Sequence, residues 1–221
     1  MMDMDMDARM TLCNVAVDIG AKAGIVEADA VTEAYLRPRV KDPFERVTSD
    51  PDAEYAFTFE LDLGELEPMV AAPPTPDNVV VISSLAGTRV DQVYVGSCAG
   101  GRLEDLRAAA AILRGRAVHP DVRMIVVPTT QEVYAEASRE GLLADIADAG
   151  AVVASPSCGP CYGNLAPLLD GEVCIGTGTT NIPGRMGSSS ARIYLSNAAV
   201  AAASAIAGTI TDPRHLRGGS K

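Results

Sequence analysis

From Val79 to Ala207, short apolar runs alternate with amphipathic ones, and this alternation limits the fold more than any other feature. Val79–Ser83, Gln92–Val95, Met124–Val127, Ala151–Ala154, Glu172–Ile175 and Ala191–Leu195 read as strands. Arg102–Arg114 reads as a helix with Leu103, Leu106, Ala110 and Leu113 on one side. Gln131–Ala149 repeats that pattern through Val133, Ala137, Leu142, Ile146 and Ala149, and Asn197–Ala207 reads as a last helix. Strands and helices alternating at this spacing predict an α/β fold with a parallel sheet covered on both faces. Ligands of such sheets lie beyond the carboxyl ends of the strands. Two Gly-rich loops there carry thiols: Gly96-Ser97-Cys98-Ala99-Gly100-Gly101 and Ser157-Cys158-Gly159-Pro160-Cys161-Tyr162-Gly163.

The preceding segment is less regular. Leu12, Val15, Ala16, Ile19 and Ala23 recur at helical spacing and predict helix within 9–36, interrupted at Gly20 and ended at Gly24, with a short second helix over Ala28–Leu36. Asn14 and Asp18 are four apart and so share a helix face. Read from periodicity alone, they form a solvated polar stripe. Tyr55, Phe57, Phe59, Leu61 and Leu63 alternate and predict a half-buried strand. Pro68, Pro73, Pro74 and Pro76 then mark an extended crossing. The expected lobes are therefore residues 1–76, a smaller α/β lobe, and residues 77–221, the thiol-bearing α/β domain.

Composition narrows the function classes. Net charge is −11, which argues against nucleic-acid binding, because phosphate contacts need clustered Lys and Arg. Five cysteines in 221 residues do not make the dense even pattern of a secreted disulfide scaffold. The start of the chain lacks the basic region and apolar run of a signal peptide. No apolar stretch approaches the roughly 20 residues of a membrane span. A reducing cytoplasm is the expected compartment.

Cys158-Gly-Pro-Cys161 alone leaves redox and metal chemistry equally open, since it is also the tetrapeptide of thioredoxin-like proteins. Here it follows a whole βαβ unit, with no aromatic residue before it. Cys98 supplies a third thiol. A zinc site lacks a clear fourth ligand, because His119 and His215 fall in loop and tail. Thiolates hold iron–sulfur clusters, normally four per cluster. A set of three leaves one iron open, as Lewis-acid chemistry requires.

Several of these stretches resemble the aconitase superfamily, in its isopropylmalate isomerase and homoaconitase large-subunit branch. Met10-Thr11-Leu12-Cys13-Asn14, with Asp18, Gly20 and Ala21, is similar to one family segment. Gly96-Ser97-Cys98 with Gly101-Arg102-Leu103-Glu104-Asp105-Leu106 resembles the first cluster-cysteine loop, and Ser157-Cys158-Gly159-Pro160-Cys161 the second. Gly184-Arg185-Met186-Gly187 and Ala202–Gly208 resemble the closing segments. The resemblance runs from about Asp7 to Asp212 and covers only the carboxy-terminal part of the family's large subunit. It implies a three-layer parallel-sheet domain of the aconitase iron–sulfur type. It also implies a [4Fe-4S] cluster on Cys98, Cys158 and Cys161. The reaction it implies is hydro-lyase chemistry, often completed as an isomerisation, on a small hydroxy acid. Asn14 and Asp18 match catalytic positions, with Asp18 standing where the family has Glu. Arg185 and Asn181 match substrate-binding positions, and a guanidinium fork suits a carboxylate.

Two departures qualify this. Ala99 and Gly100 replace the usual Thr-Asn after the first cysteine, and Thr179 and Thr180 replace an Asn-Arg pair, so the expected substrate is less anionic or differently shaped. The family's amino-terminal domain and the swivelling domain with its catalytic serine are not in this chain. The resemblance thus implies a split enzyme that needs a separate amino-terminal-domain chain and a small swivelling-domain subunit. A non-catalytic cluster-binding subunit of the same fold is the alternative.

Overall fold

In the computed structural model, which describes residues 4–216, the chain divides at Leu66 into two units. The first contains α1 (Met6–Asp18) and α2 (Ala30–Leu36). Short acids cap both helices, as their unpaired first-turn N–H groups require. Asp5 accepts from the Ala8 amide at 2.8 Å, and Asp29 accepts from Val31 and Thr32 at 2.9 and 3.2 Å. Asp29 also receives a bidentate pair from buried Arg9, at 2.7 and 2.8 Å. Hydrogen bonding from Arg9 holds the Asp29 carboxyl well below the usual carboxylate range. An unpaired charge inside a fold is costly, so this contact ties α1 to α2. The expected second helix is α2, starting at Ala30, and the first ends at Asp18, before Gly20 and not at Gly24.

The strand expected over Tyr55–Leu63 does not form. The segment is irregular, with a 3-10 turn over Leu63–Glu65, and Tyr55, Phe57, Phe59, Leu61 and Leu63 are all exposed. A strand needs a neighbour for its backbone donors and acceptors, and no strand forms among described residues 4–66. Among its described residues the first unit is therefore helical, not α/β.

The second unit begins at Glu67, ten residues before the break expected from the prolines. Part of the Pro-rich stretch is β1 (Met69–Ala71), which pairs antiparallel with β2 (Val79–Val81). Five parallel strands follow: β3 (Gln92–Val95), β4 (Arg123–Val126), β5 (Val152–Val153), β6 (Val173–Gly176) and β7 (Arg192–Leu195). The sheet order is β2-β1-β7-β6-β3-β4-β5, with β1 antiparallel to β7. The fold is therefore an α/β fold on a mostly parallel sheet, with an antiparallel edge hairpin.

Side chains alternate across the strands. Val93, Val95, Met124, Val126, Val173 and Ile175 face one core, shared with α4 (Leu103–Leu113), α6 (Leu142–Asp148) and α7 (Ala198–Ala207). The helix expected over 131–149 is broken. It is α5 (Gln131–Arg139) and α6, separated by Gly141 at φ +75°, a conformation that glycine adopts at little cost. Tyr94, Ile125, Cys174 and Ile193 face the opposite core, where Cys161, Leu168, Met186 and Ala191 pack on them from loops. The second cover over the sheet is thus built from thiol-bearing loops and not from helices. That makes the fold asymmetric: a helical layer, the sheet, and a layer of irregular chain.

Leu106 is fully buried where α4 meets α7. Leu106→Ala should lower stability by about 2–5 kcal/mol. Phe57→Ala, on an exposed side chain, should change it by less than about 0.5 kcal/mol. Urea denaturation of the two variants measures both, and equal effects would contradict the burial assignment.

Candidate functional site

The order of strand addition creates the site. From β3 the chain lays β4 and β5 to one side, then returns to lay β6 and β7 on the other. The carboxyl ends of β3 and β6 are the point of reversal, where open α/β sheets receive ligands. Three loops leave from the carboxyl ends of β3, β5 and β6. The Cys98 loop follows β3 and becomes the short helix α3 (Ser97–Gly100). The Cys158–Cys161 turn follows β5 as a 3-10 turn over Gly159–Tyr162. The loop holding Asn181 and Arg185 follows β6.

Hydrogen bonds lock these loops together. The Tyr94 hydroxyl donates to the Cys158 carbonyl at 3.3 Å and lies against Gly96, where an added Cβ would sit 2.5 Å from its oxygen. Arg185 Nε donates to the Cys161 carbonyl at 3.0 Å. Leu168, beyond the cysteine turn, donates its amide to Met186 at 2.8 Å and accepts from Ser188 at 2.9 Å. Buried Gln92 reaches from β3 to the Ala166 carbonyl at 3.2 Å and accepts from Arg123, which pairs with Glu172 at 2.7 Å. The thiol turn is therefore held from the sheet below and from the Arg185 loop beside it.

Cys98 and Cys158 are exposed and Cys161 is buried. Burial pushes the Cys161 thiol up, a hydrogen bond from Arg185 pulls it back, and the charges of Cys158 and Cys98 push it up again. Tyr94 is raised first by burial and then by the charges of the same three thiols. The three sulfurs thus lie within electrostatic reach of one another, around Tyr94. Cys174 stands apart. It is buried in the sheet on β6, and burial pushes it up to about 12. Cys13 is half-buried on α1. His119 accepts from the Asp121 amide and donates its own amide to Ala205, so it serves a turn.

The other expected site residues fall as follows. Asn181 is buried, and its amide nitrogen donates to the carbonyls of Ala71 and Ala72 at 3.3 and 3.0 Å. Its Oδ1 is buried without a partner. Thr179 and Thr180, at the altered positions, are buried as well. Asn14 and Asp18 lie in the first unit on α1, Asn14 half-buried and Asp18 exposed as the last helical residue. An acid there opposes the negative end of the helix dipole, so its placement does not stabilise the helix. Sequence reasoning missed Tyr94, Gln92 and Thr177. Their only sequence signal is a polar group inside or directly after an apolar strand.

Among the described residues, no three His, Cys, Asp or Glu side chains meet at one point as a single metal ion requires. Cluster ligands differ from this, since each thiolate binds its own iron. Three thiols on two loops, each close enough for its charge to reach Tyr94, fit the thiolate chemistry of a [4Fe-4S] group. Arg185 beside Cys161 adds positive charge, which favours thiolate.

Known proteins resemble this chain along most of its length. The model of the aconitase family (aconitate hydratase) matches residues 1–88 and 83–208. The 3-isopropylmalate dehydratase large subunit of Nautilia profundicola is 51% identical over 97% of this chain and 52% of its own. Those of Sulfurihydrogenibium sp. and Methanopyrus kandleri (large subunit 1) are both 46% identical, over 95% and 96% of this chain and 49% and 51% of theirs. The chain spans about half the length of the curated relatives it matches.

Alkylation of the metal-free chain should follow burial. Cys98 and Cys158 should react first, and Cys161 and Cys174 at least roughly tenfold more slowly, because a buried thiol gives less thiolate and less access. Mass spectrometry of peptides after timed iodoacetamide treatment measures the order. A Cys161 as fast as Cys98 would contradict it.

Proposed function

The chain belongs to the aconitase family, and on that premise we propose that it is the cluster-bearing part of a hydro-lyase. Its substrate is a small hydroxy acid, and the closest chemistry is isopropylmalate dehydration and isomerisation. The observation that carries the reading is that Cys98, Cys158 and Cys161 sit on loops at the carboxyl ends of strands, with Arg185, from the loop after β6, hydrogen-bonded to Cys161. Cys98, Cys158 and Cys161 hold the [4Fe-4S] cluster, which when bound supplies an open Lewis-acid iron that makes hydroxide a better leaving group.

The chain's own side chains bind and orient. Arg185 donates to the Cys161 carbonyl and to its thiol, and the fork of five N–H groups has further donors for a substrate carboxylate. Asn181 fixes the loop end at β1 and offers Oδ1 as an acceptor. Asp18 and Asn14 are the catalytic pair on α1, one turn apart, the exposed carboxylate accepting and orienting and the half-buried amide offering both a donor and an acceptor. Thr180 brings no positive charge, so the substrate carries less anionic character at that point than a two-arginine site would take.

Other groups come from other chains. A separate amino-terminal-domain chain and a small swivelling-domain subunit complete the active site, the second bringing the catalytic serine. The assembly works in the cytoplasm. Among the described residues no helix is long and apolar enough to cross a membrane.

Anaerobic reconstitution with iron and sulfide should give the visible absorbance of a [4Fe-4S] protein. Cys98→Ser, Cys158→Ser and Cys161→Ser should each abolish it, and Cys174→Ser should not. Absence of signal in the unmutated chain would overturn the reading. Uptake should rise with pH through and beyond the ordinary thiol range, because burial holds Cys161 protonated and binding needs its thiolate. A flat pH profile would contradict that assignment. The loaded chain, co-expressed with candidate partner subunits, should dehydrate a hydroxy acid, and isopropylmalate, homocitrate and monocarboxylic analogues rank the substrate. Clear preference for isopropylmalate would sink the claim of a less anionic one, and full activity of the isolated chain would sink the split assembly.

A further inference from the structure

We propose that Thr177 is a positioning residue whose buried hydroxyl sets the backbone on both sides of Cys98 and so aims that thiol at the cluster. The inference rests on the cluster reading above. Thr177 directly follows β6 and is buried. Its Oγ1 accepts from the Gly96 amide at 2.8 Å and has its own proton shared between the carbonyls of Gly96, at 2.9 Å, and Gly100, at 3.1 Å. Its carbonyl accepts from Ser97 Oγ at 3.3 Å, and its amide donates to Tyr94 at 3.1 Å. One residue on β6's loop therefore grips the chain two residues before Cys98 and two residues after it.

The approach is close. A Cβ on Gly100 would sit 2.1 Å from the Thr177 Cβ, so only glycine fits against this side chain. Ser97, next to Cys98, has φ +72°. A non-glycine residue holds that conformation only where its surroundings over-determine it. Here Thr129 Oγ1 donates to the Ser97 carbonyl at 2.9 Å, and Ser97 Oγ accepts from the Ala99 amide at 3.1 Å. A strained residue at the base of a ligand, held by a hydroxyl from across the sheet, is the arrangement of a group that orients a ligand. An ordinary strand end would need only the backbone bond to Tyr94.

The test compares the intact chain with Thr177→Ser, which keeps the hydroxyl, and Thr177→Val, which keeps the shape and removes it. Each is reconstituted anaerobically. Three quantities are read: the rate of iron loss to a chelator, the paramagnetic resonance spectrum of the reduced cluster, and amide hydrogen exchange in the metal-free chain. Supporting groups of this kind change metal affinity by about 10–100-fold. Thr177→Val should therefore lose iron about tenfold faster or more and show an altered spectrum, with Thr177→Ser close to the native chain. In the metal-free Thr177→Val chain, faster exchange should be confined to Gly96–Gly101, with an unchanged unfolding midpoint.

Iron held by Thr177→Val as in the native chain, with the same spectrum, overturns the proposal. So does equal damage in both variants, or exchange raised throughout the sheet with a lowered midpoint. If the native chain takes up no cluster, the cluster reading fails by itself. The exchange experiment then still decides the clamp: a local rise supports it, and no rise overturns it.

Discussion

The parallel pairing of β3 with β6 is the contact on which the site depends. Gln92, Val93 and Tyr94 stand opposite Cys174, Ile175 and Gly176. The two strands are about eighty residues apart in the chain, yet their carboxyl ends emerge side by side. Whatever follows each strand must then share one space. Cys98 follows one and the Thr177–Arg185 loop follows the other. The remaining thiols reach the same space from β5 because a loop, and not a helix, covers that face of the sheet.

Much of this was legible in the residues. The five parallel strands were, because each is a short apolar run between turn signals. α4 and α7 were, within a residue at each end. The placement of both thiol-bearing loops after strands was legible, since each Gly-rich run directly follows an apolar one. The split into α5 and α6 was not, because the apolar spacing continues across Gly141. β1 was hidden among prolines, which discourage a strand assignment but are tolerated near the sheet edge where it lies. The one-sided helical cover was hidden too, since alternation predicts helices and does not say on which face each packs. Thr177 sits in a Gly/Thr run where every residue looks like loop, and only the pairing of β3 with β6 sets it apart.

The smaller unit shows the opposite balance. Its pattern over Tyr55–Leu63 is as clear as any strand in the larger one, yet it has no partner and stays exposed. Periodicity reports which faces a segment would bury; neighbours decide whether it does. The Arg9–Asp29 pair, by contrast, has no periodic signature and still joins the unit's two helices.

The distance in sequence between β3 and β6 also governs when the thiols can meet. Contacts within β3-α4-β4 are local and close early, while a parallel pairing across so long a stretch waits on loop closure. During synthesis Cys98 emerges long before β6 exists to face it. The Cys158 carbonyl that Tyr94 binds and the Thr177 hydroxyl are then still missing, so the loop lacks its contacts from later in the chain. The hydrogen-bonded frame around Cys98 is therefore completed only in the step that zips β6 onto β3, late in folding and not alongside synthesis of the loop.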